Sequence, residues 1–182
     1  HSFPTRRSSD LDVRLAYGSS PGWLIEFNGT LFFQADDDTH GDELWQSDGT
    51  AAGTTLVADL SPGTFGSQPE NLFPALGKVF FSALTSAGAE PWVTDGTAAG
   101  TRLVKAIQSS YFHRLALGNK LVFTNEDTTH GIELWQSDGT AAGTTLLVDV
   151  DPGTPSSDPR DLLPAGKGFF FKASKGTQGR EL

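Results

Sequence analysis

The stretch Glu43-Leu44-Trp45-Gln46-Ser47-Asp48-Gly49-Thr50-Ala51-Ala52-Gly53-Thr54 recurs unchanged as Glu133 to Thr144, and that repetition decides the fold class. A looser copy, Glu90-Pro91-Trp92-Val93-Thr94-Asp95-Gly96-Thr97-Ala98-Ala99-Gly100-Thr101, lies between them, and a fourth opens at Gly179 as Gly-Arg-Glu-Leu. Trp45, Trp92 and Trp135 are 47 and 43 residues apart, and Leu134 to Leu182 is 48, so the period is 43 to 48. Self-similarity at a period of that size marks an architecture of stacked units, each of which cannot bury its apolar face alone.

Working outward from the motif, each unit reads as four short strands. In the first unit Trp23 to Phe27 is apolar-rich and runs into Asn28-Gly29, a two-residue hairpin signal because both positions accept positive φ. Thr30 to Ala35 forms a second strand, Glu43 to Ser47 a third and Thr54 to Leu60 a fourth. Val79-Phe80-Phe81, Leu121-Val122-Phe123 and Phe169-Phe170-Phe171 are the second strands of the later units. Pro-Gly turns at Pro62-Gly63 and Pro152-Gly153 lead toward Pro69 and Pro159, which open new units as Pro21 does; the segment Gln108 to Tyr111 lacks that turn and accounts for the shorter spacing. Four antiparallel strands in roughly 45 residues describe a propeller blade, whereas β-helix turns are shorter and lack such hairpins. The expected fold is all-β, a β-propeller fragment of three to four four-stranded blades in an open arc or small propeller. Its units run over about 19–66, 67–110, 111–154 and a truncated 155–182.

Within the motif, the glycines permit backbone angles closed to other residues, and Asp48, Asp95 and Asp138 can accept hydrogen bonds from the amides that follow them. These aspartates are expected to be loop staples, not catalysts. Trp45, Trp92 and Trp135 fall on matching strands, where large rings suit the seam between blades better than sugar stacking.

The string Glu43 to Thr50, with Gly53-Thr54 and Leu56-Val57 after it, is similar to the ELWxxDGT repeat family of bacterial proteins. The resemblance covers residues from about 19 to 182, and the full motif occurs twice, at Glu43 and Glu133. The middle copy departs from it at Pro91 and Thr94; a proline on that strand points to an exposed edge or a bulge, since it cannot donate to a ladder. Membership would imply a secreted or surface-attached bacterial protein built of propeller-like tandem repeats, and it carries over no enzymatic activity.

Composition narrows the function classes. With 13 basic and 22 acidic residues the formal charge is −9, which excludes a phosphate-backbone partner, because nucleic-acid binders concentrate Lys and Arg on one face. No apolar run is long enough for membrane insertion in this segment. The chain has no Cys, so disulfides and thiolate chemistry are out. It also has no Met, and residues 1–11, His-Ser-Phe-Pro-Thr-Arg-Arg-Ser-Ser-Asp-Leu, resemble a translated sequencing adapter, leaving 12–182 as the repeat region. Any signal peptide would lie upstream.

Three constellations could carry chemistry. Asp36-Asp37-Asp38-Thr39-His40-Gly41-Asp42 holds four carboxylates, and Asp36, Asp38 and Asp42 around Gly41 suggest a calcium loop, though not a full EF-hand pattern. A solvated loop explains the same residues. His40 and His130 occupy equivalent loops, so a shared metal site or general base can be imagined, but equivalent outer loops of different blades seldom meet. His113 has no triad partners in sequence. The expected function is therefore a non-enzymatic scaffold or binding module, extracellular or at the cell surface, with an unknown protein or glycan ligand and further blades of the same full-length chain as partners. It needs no cofactor beyond possible calcium. The alternative is the propeller domain of a secreted carbohydrate-active hydrolase or lyase, which would gather non-repeated carboxylates on the central channel.

Overall fold

The computed structural model describes residues 19–108, 113–176 and 179–181. The adapter-like segment, residues 12–18, Tyr111 and Leu182 lie outside them. All regular structure among the described residues is β.

Four antiparallel sheets follow one another along the chain. The first holds β1 (Gly22–Phe27), β2 (Thr30–Asp36), β3 (Asp42–Ser47) and β4 (Thr55–Ala58). The second holds β5 (Glu70–Ala75), β6 (Lys78–Thr85), β7 (Gly88–Thr94) and β8 (Arg102–Leu103). The third holds β9 (Arg114–Leu117), β10 (Lys120–Asp127), β11 (Gly131–Ser137) and β12 (Thr145–Val148). The fourth holds β13 (Arg160–Ala165), β14 (Gly168–Ser174) and β15 (Arg180–Glu181). Spatial order equals sequence order in every sheet, so each is a simple meander. β1 lies against β5 and β9 against β13, which puts the first strands of successive sheets side by side. The architecture is propeller-like.

Local chemistry explains the turns. Asn28 and Gly29 both take positive φ, 52° and 81°, so the hairpin twist matches the right-handed twist of the flanking strands. The fourth strand of the first unit is shorter than the sequence suggests. Its pairing with β3 shifts register between Leu44 and Trp45, and the Ser61 amide turns to the Glu43 carboxylate instead of continuing the ladder. Of the exposed edge or bulge expected at Pro91, the exposed edge is not found: the residue is buried on β7 between β6 and β8. Its carbonyl accepts the Val104 amide at 2.8 Å, and the β7–β8 pairing ends one residue away at Trp92 opposite Leu103, since proline offers no N–H.

The core sits in the seams between sheets. On three sheets a phenylalanine of the second strand stands directly opposite the motif tryptophan: Phe33 and Trp45, Phe81 and Trp92, Phe123 and Trp135. Val79 and Phe81, with Trp92, pack on Phe32, Leu44 and Val57 of the first sheet. Leu121, Phe123 and Trp135 pack on Phe80, Val93 and Val104 of the second. The second and third sheets thus offer a Phe–Trp pair backward, and the first and second offer Phe32 and Phe80 forward, because side chains on a strand alternate faces; the third sheet has Val122 at the forward position. Phe33 and Trp45 of the first sheet form a smaller cluster with Ala35, Leu31 and Leu56.

Truncating a seam ring removes packing on both sheets. Trp135→Ala is expected to cost about 3–5 kcal/mol in urea unfolding. Trp23→Ala, at a ring 44% exposed on β1, is expected to cost less than about 1 kcal/mol. Equal losses would contradict the seam assignment.

Candidate functional site

The Asp-Gly-Thr loops have one internal design, made three times. Asp48 Oδ1 accepts from the Thr50 amide at 2.9 Å and its hydroxyl at 2.7 Å; the Thr50 hydroxyl accepts the Gly53 amide at 2.9 Å, and Thr54 Oγ1 donates to the Thr50 carbonyl at 2.7 Å. Asp95 with Thr97, Gly100 and Thr101, and Asp138 with Thr140, Gly143 and Thr144, repeat every bond. The second glycine leaves room for the aspartate: a Cβ on Gly53, Gly100 or Gly143 would stand 2.0 Å from its Oδ1 and push the carboxylate out of its turn bonds. Those bonds hold the Asp48, Asp95 and Asp138 carboxyls below the usual range, led in each case by the threonine hydroxyl. The three aspartates are committed to their turns as expected.

The motif glutamate has a role that the sequence reading missed. Glu43 and Glu133 are fully buried. Glu43 accepts from the Ser61 amide at 3.0 Å and from the Ser67 amide and hydroxyl at 2.9 and 2.5 Å; Glu133 accepts from the Val150 amide at 3.1 Å and from the Ser157 amide and hydroxyl at 2.8 and 2.6 Å. Ser67 and Ser157 open the next sheets, and their carbonyls accept the Leu84 and Ser174 amides there. Each glutamate therefore clamps the connection that carries the chain from one sheet to the next. Burial raises the Glu43 pKa, and the serine donors and the Leu60 and Ser61 amides pull against it. The legible signal was the glutamate-to-serine separation of 24 residues shared by Glu43 and Glu133. Glu90, in the unit with the short connection, bonds the Thr85 hydroxyl of its own sheet at 2.5 Å.

The acidic loop is a folded turn. Asp36 and Asp42 stand opposite each other at the end of β2 and β3. Asp36 accepts the Asp38 amide at 2.8 Å, and Asp38 takes a φ of 70°. Asp37, which the calcium reading leaves out, is the organising residue: its carboxylate accepts the Thr39 and His40 amides at 3.0 and 2.8 Å and meets His40 Nδ1 at 2.7 Å. Asp127 does the same with Thr129 and His130, at 2.8 and 2.6 Å to the amides and 2.8 Å to Nδ1. Among the described residues no three His, Asp or Glu side chains are gathered as a metal centre requires. Asp36, Asp38 and Asp42 are thus placed around one turn, and His40 and His130 each pair within their own loop. Burial disfavours ionised Asp37 and Asp127, but the bonds from their histidines and the Thr39 and Thr129 amides outweigh it and hold both carboxyls low. The same pairing raises both histidines.

The units differ most on their first strands. Bulges there place Trp23, Asn71 and Asp161 at φ of 53°, 56° and 53°. The left-handed region suits Asn and Asp, and a tryptophan there is unusual. Trp23 and Leu24 are exposed, Asn71 is buried, and Asp161 pairs with Lys172 at 2.9 Å. His113 precedes β9, where its carbonyl accepts the Thr124 amide. Arg114 lies 4.5 Å from the centre of the Phe73 ring on the neighbouring first strand, and burial lowers its pKa.

No protein-family model and no curated protein matches this chain. Among solved structures it is similar to the computationally designed Ika8 protein, at 17% identity and a TM-score of 0.47 over 90% of this chain and 46% of that one. It is similar to an acylaminoacyl peptidase of Pyrococcus horikoshii at 15% identity and a TM-score of 0.48, over 87% of this chain and 25% of that one. It is also similar to an α-L-arabinofuranosidase of Clostridium thermocellum at 12% identity and a TM-score of 0.36, over 89% and 63%. The chain spans less than half the length of the first two.

Two outcomes follow from the clamp and the turns. Glu133→Gln turns a donor toward Ser157 and is expected to cost about 1–3 kcal/mol, whereas Glu126→Gln, on an exposed side chain, should change stability by less than about 0.5 kcal/mol. The raised histidines stabilise the fold fully below the ordinary value of 6.5, and that contribution is lost as pH climbs through the folded values. The melting-temperature gap between the parent and a His40→Gln, His130→Gln double variant should therefore shrink between about pH 5.5 and 8.5. A gap that widens with pH would contradict the pairing.

Proposed function

We propose that this chain is a non-enzymatic repeat scaffold, a display or binding module of a larger secreted or cell-surface bacterial protein of the ELWxxDGT type. The observation that carries the reading is the occupation of the repeated motif. Its aspartates bond their own turns, its glutamates clamp connections or bond a neighbouring hydroxyl, and its tryptophans pack in seams or their own cluster. Residues whose chemistry is spent on the fold leave recognition to the positions that vary. Those are the exposed first-strand bulges at Trp23 and Asp161 and the turns between second and third strands. An exposed tryptophan in a left-handed conformation, with Leu24 beside it in sequence, is a feature that packing does not account for. A protein or glycan surface is the ligand class that such a display suits.

A carbohydrate-active hydrolase is the competing reading. Glycoside hydrolysis calls for two carboxyl groups flanking one bond. Trp23, Asn71 and Asp161 contribute a single carboxylate, and Lys172 engages it. Incubating the purified chain with chromogenic arabinofuranosides and a panel of soluble polysaccharides distinguishes the two: sugar release at the buffer level is expected. Release above buffer that disappears in Asp161→Asn would overturn the scaffold reading.

A further inference from the structure

The turn between first and second strands is where the first sheet departs from the other two complete ones. The residue that opens the second strand is Thr30 in the first sheet, Lys78 in the second and Lys120 in the third. Lys120 lies 3.7 Å from Asp138 of the adjacent Asp-Gly-Thr loop, and the charge of Lys78 favours ionised Asp95. Thr30 offers Asp48 no such cation. The first turn residue differs as well, Asn28 standing where Leu76 and Gly118 stand in the later sheets. Neither change is needed to close the hairpin, since Leu76 and Gly77 take the same positive φ, 54° and 69°.

Together the two departures write Asn28-Gly29-Thr30, an Asn-X-Thr acceptor for an N-linked glycan with no proline in it or directly after it. The other asparagines, Asn71, Asn119 and Asn125, are followed two positions later by Phe73, Leu121 and Asp127, so Asn28 alone has the required hydroxyl. Asn28 is exposed, and the Glu26 carboxylate pins the turn beneath it by accepting the Gly29 amide at 2.7 Å. We propose that Asn28 is the attachment site of an N-linked glycan, added during export by an oligosaccharyltransferase from a polyprenyl-diphosphate-linked oligosaccharide. The transfer forms a bond from Asn28 Nδ2 to the anomeric carbon of the sugar and breaks the bond from that carbon to the diphosphate oxygen. Polyprenyl diphosphate leaves, and one Nδ2 proton passes to a base of the transferase. This site rests on the export reading proposed above, because donor and transferase act on exported chains. Its position suits that reading: β1 separates Asn28 from the bulge at Trp23 by roughly 16 Å at about 3.3 Å per residue, so a glycan at the turn leaves the exposed tryptophan uncovered.

The full chain, secreted behind a cleavable leader from cells that hold an oligosaccharyltransferase and its lipid-linked donor, tests the site by intact mass. The chain is expected to gain the mass of one donor oligosaccharide. Thr30→Ser should keep that gain, whereas Asn28→Asp and Thr30→Lys should lose it. Asp suits the left-handed turn position and Lys is the residue of the later sheets, so both variants should melt within about 2 °C of the unglycosylated parent. An exported chain that stays unmodified in cells that glycosylate a control acceptor would overturn the site. A gain that persists in Thr30→Lys would do the same. Neither result bears on the scaffold reading, which the sugar-release assay tests separately.

Discussion

The packing of a phenylalanine–tryptophan pair on the aromatic of the preceding sheet is the constraint on which the rest of this molecule depends. A twisted four-stranded meander has two apolar faces and no interior, so alone it would leave both wet. Stacking solves this one seam at a time. Phe81 with Trp92 covers Phe32, and Phe123 with Trp135 covers Phe80. Stability in such an array is a sum of the units' own terms and the terms between neighbours.

The other motif residues serve that stacking. The Asp-Gly-Thr loop brings its first glycine to the aromatic of the preceding sheet, where a side chain would crowd the ring, and its aspartate and threonines hold the loop in that position. The second sheet also reaches forward to the third loop: Arg102 donates to the Gly139 carbonyl at 3.0 Å and Lys105 to that of Thr144 at 2.6 Å. The buried glutamates work at the opposite end of the strand. They satisfy the amides of a connection that has left one ladder and not yet joined the next, which is where a buried backbone would otherwise go unpaired. Sequence repetition here records a repeated mechanical task.

Much of this was legible before any coordinates. The hairpin at Asn28-Gly29, the second strands rich in aromatics and the seam role of Trp92 and Trp135 follow from turn chemistry and period-two alternation alone, whereas Trp45, expected in a seam as well, packs within its own sheet. The Glu43 clamp was not legible as such, because a glutamate in a strand ordinarily reads as a solvent-facing residue; only its pairing with a serine in the next unit makes burial tolerable. The exposed edge suggested by Pro91 failed for a related reason. A proline signals a missing donor, but the missing donor lies beside a two-residue strand inside the sheet and not on an exposed edge. The aspartate run around His40 drew attention to Asp36, Asp38 and Asp42, while the residue that organises the turn is Asp37, recognisable by its counterpart Asp127 in the third unit. What varies between units, at Trp23, Asn71 and Asp161, is where no periodicity could guide the reading.

The central claim is that the seam couples neighbouring sheets through their rings. A double-mutant cycle on Phe80 and Trp135, which share one buried cluster across the second and third sheets, measures that coupling directly. With Phe80→Leu and Trp135→Phe followed by urea unfolding, the account predicts a double variant that loses about 0.5–1.5 kcal/mol less than the sum of the single losses, the shared interaction having been lost once in each single variant. Losses that simply add, within about 0.3 kcal/mol, would contradict it.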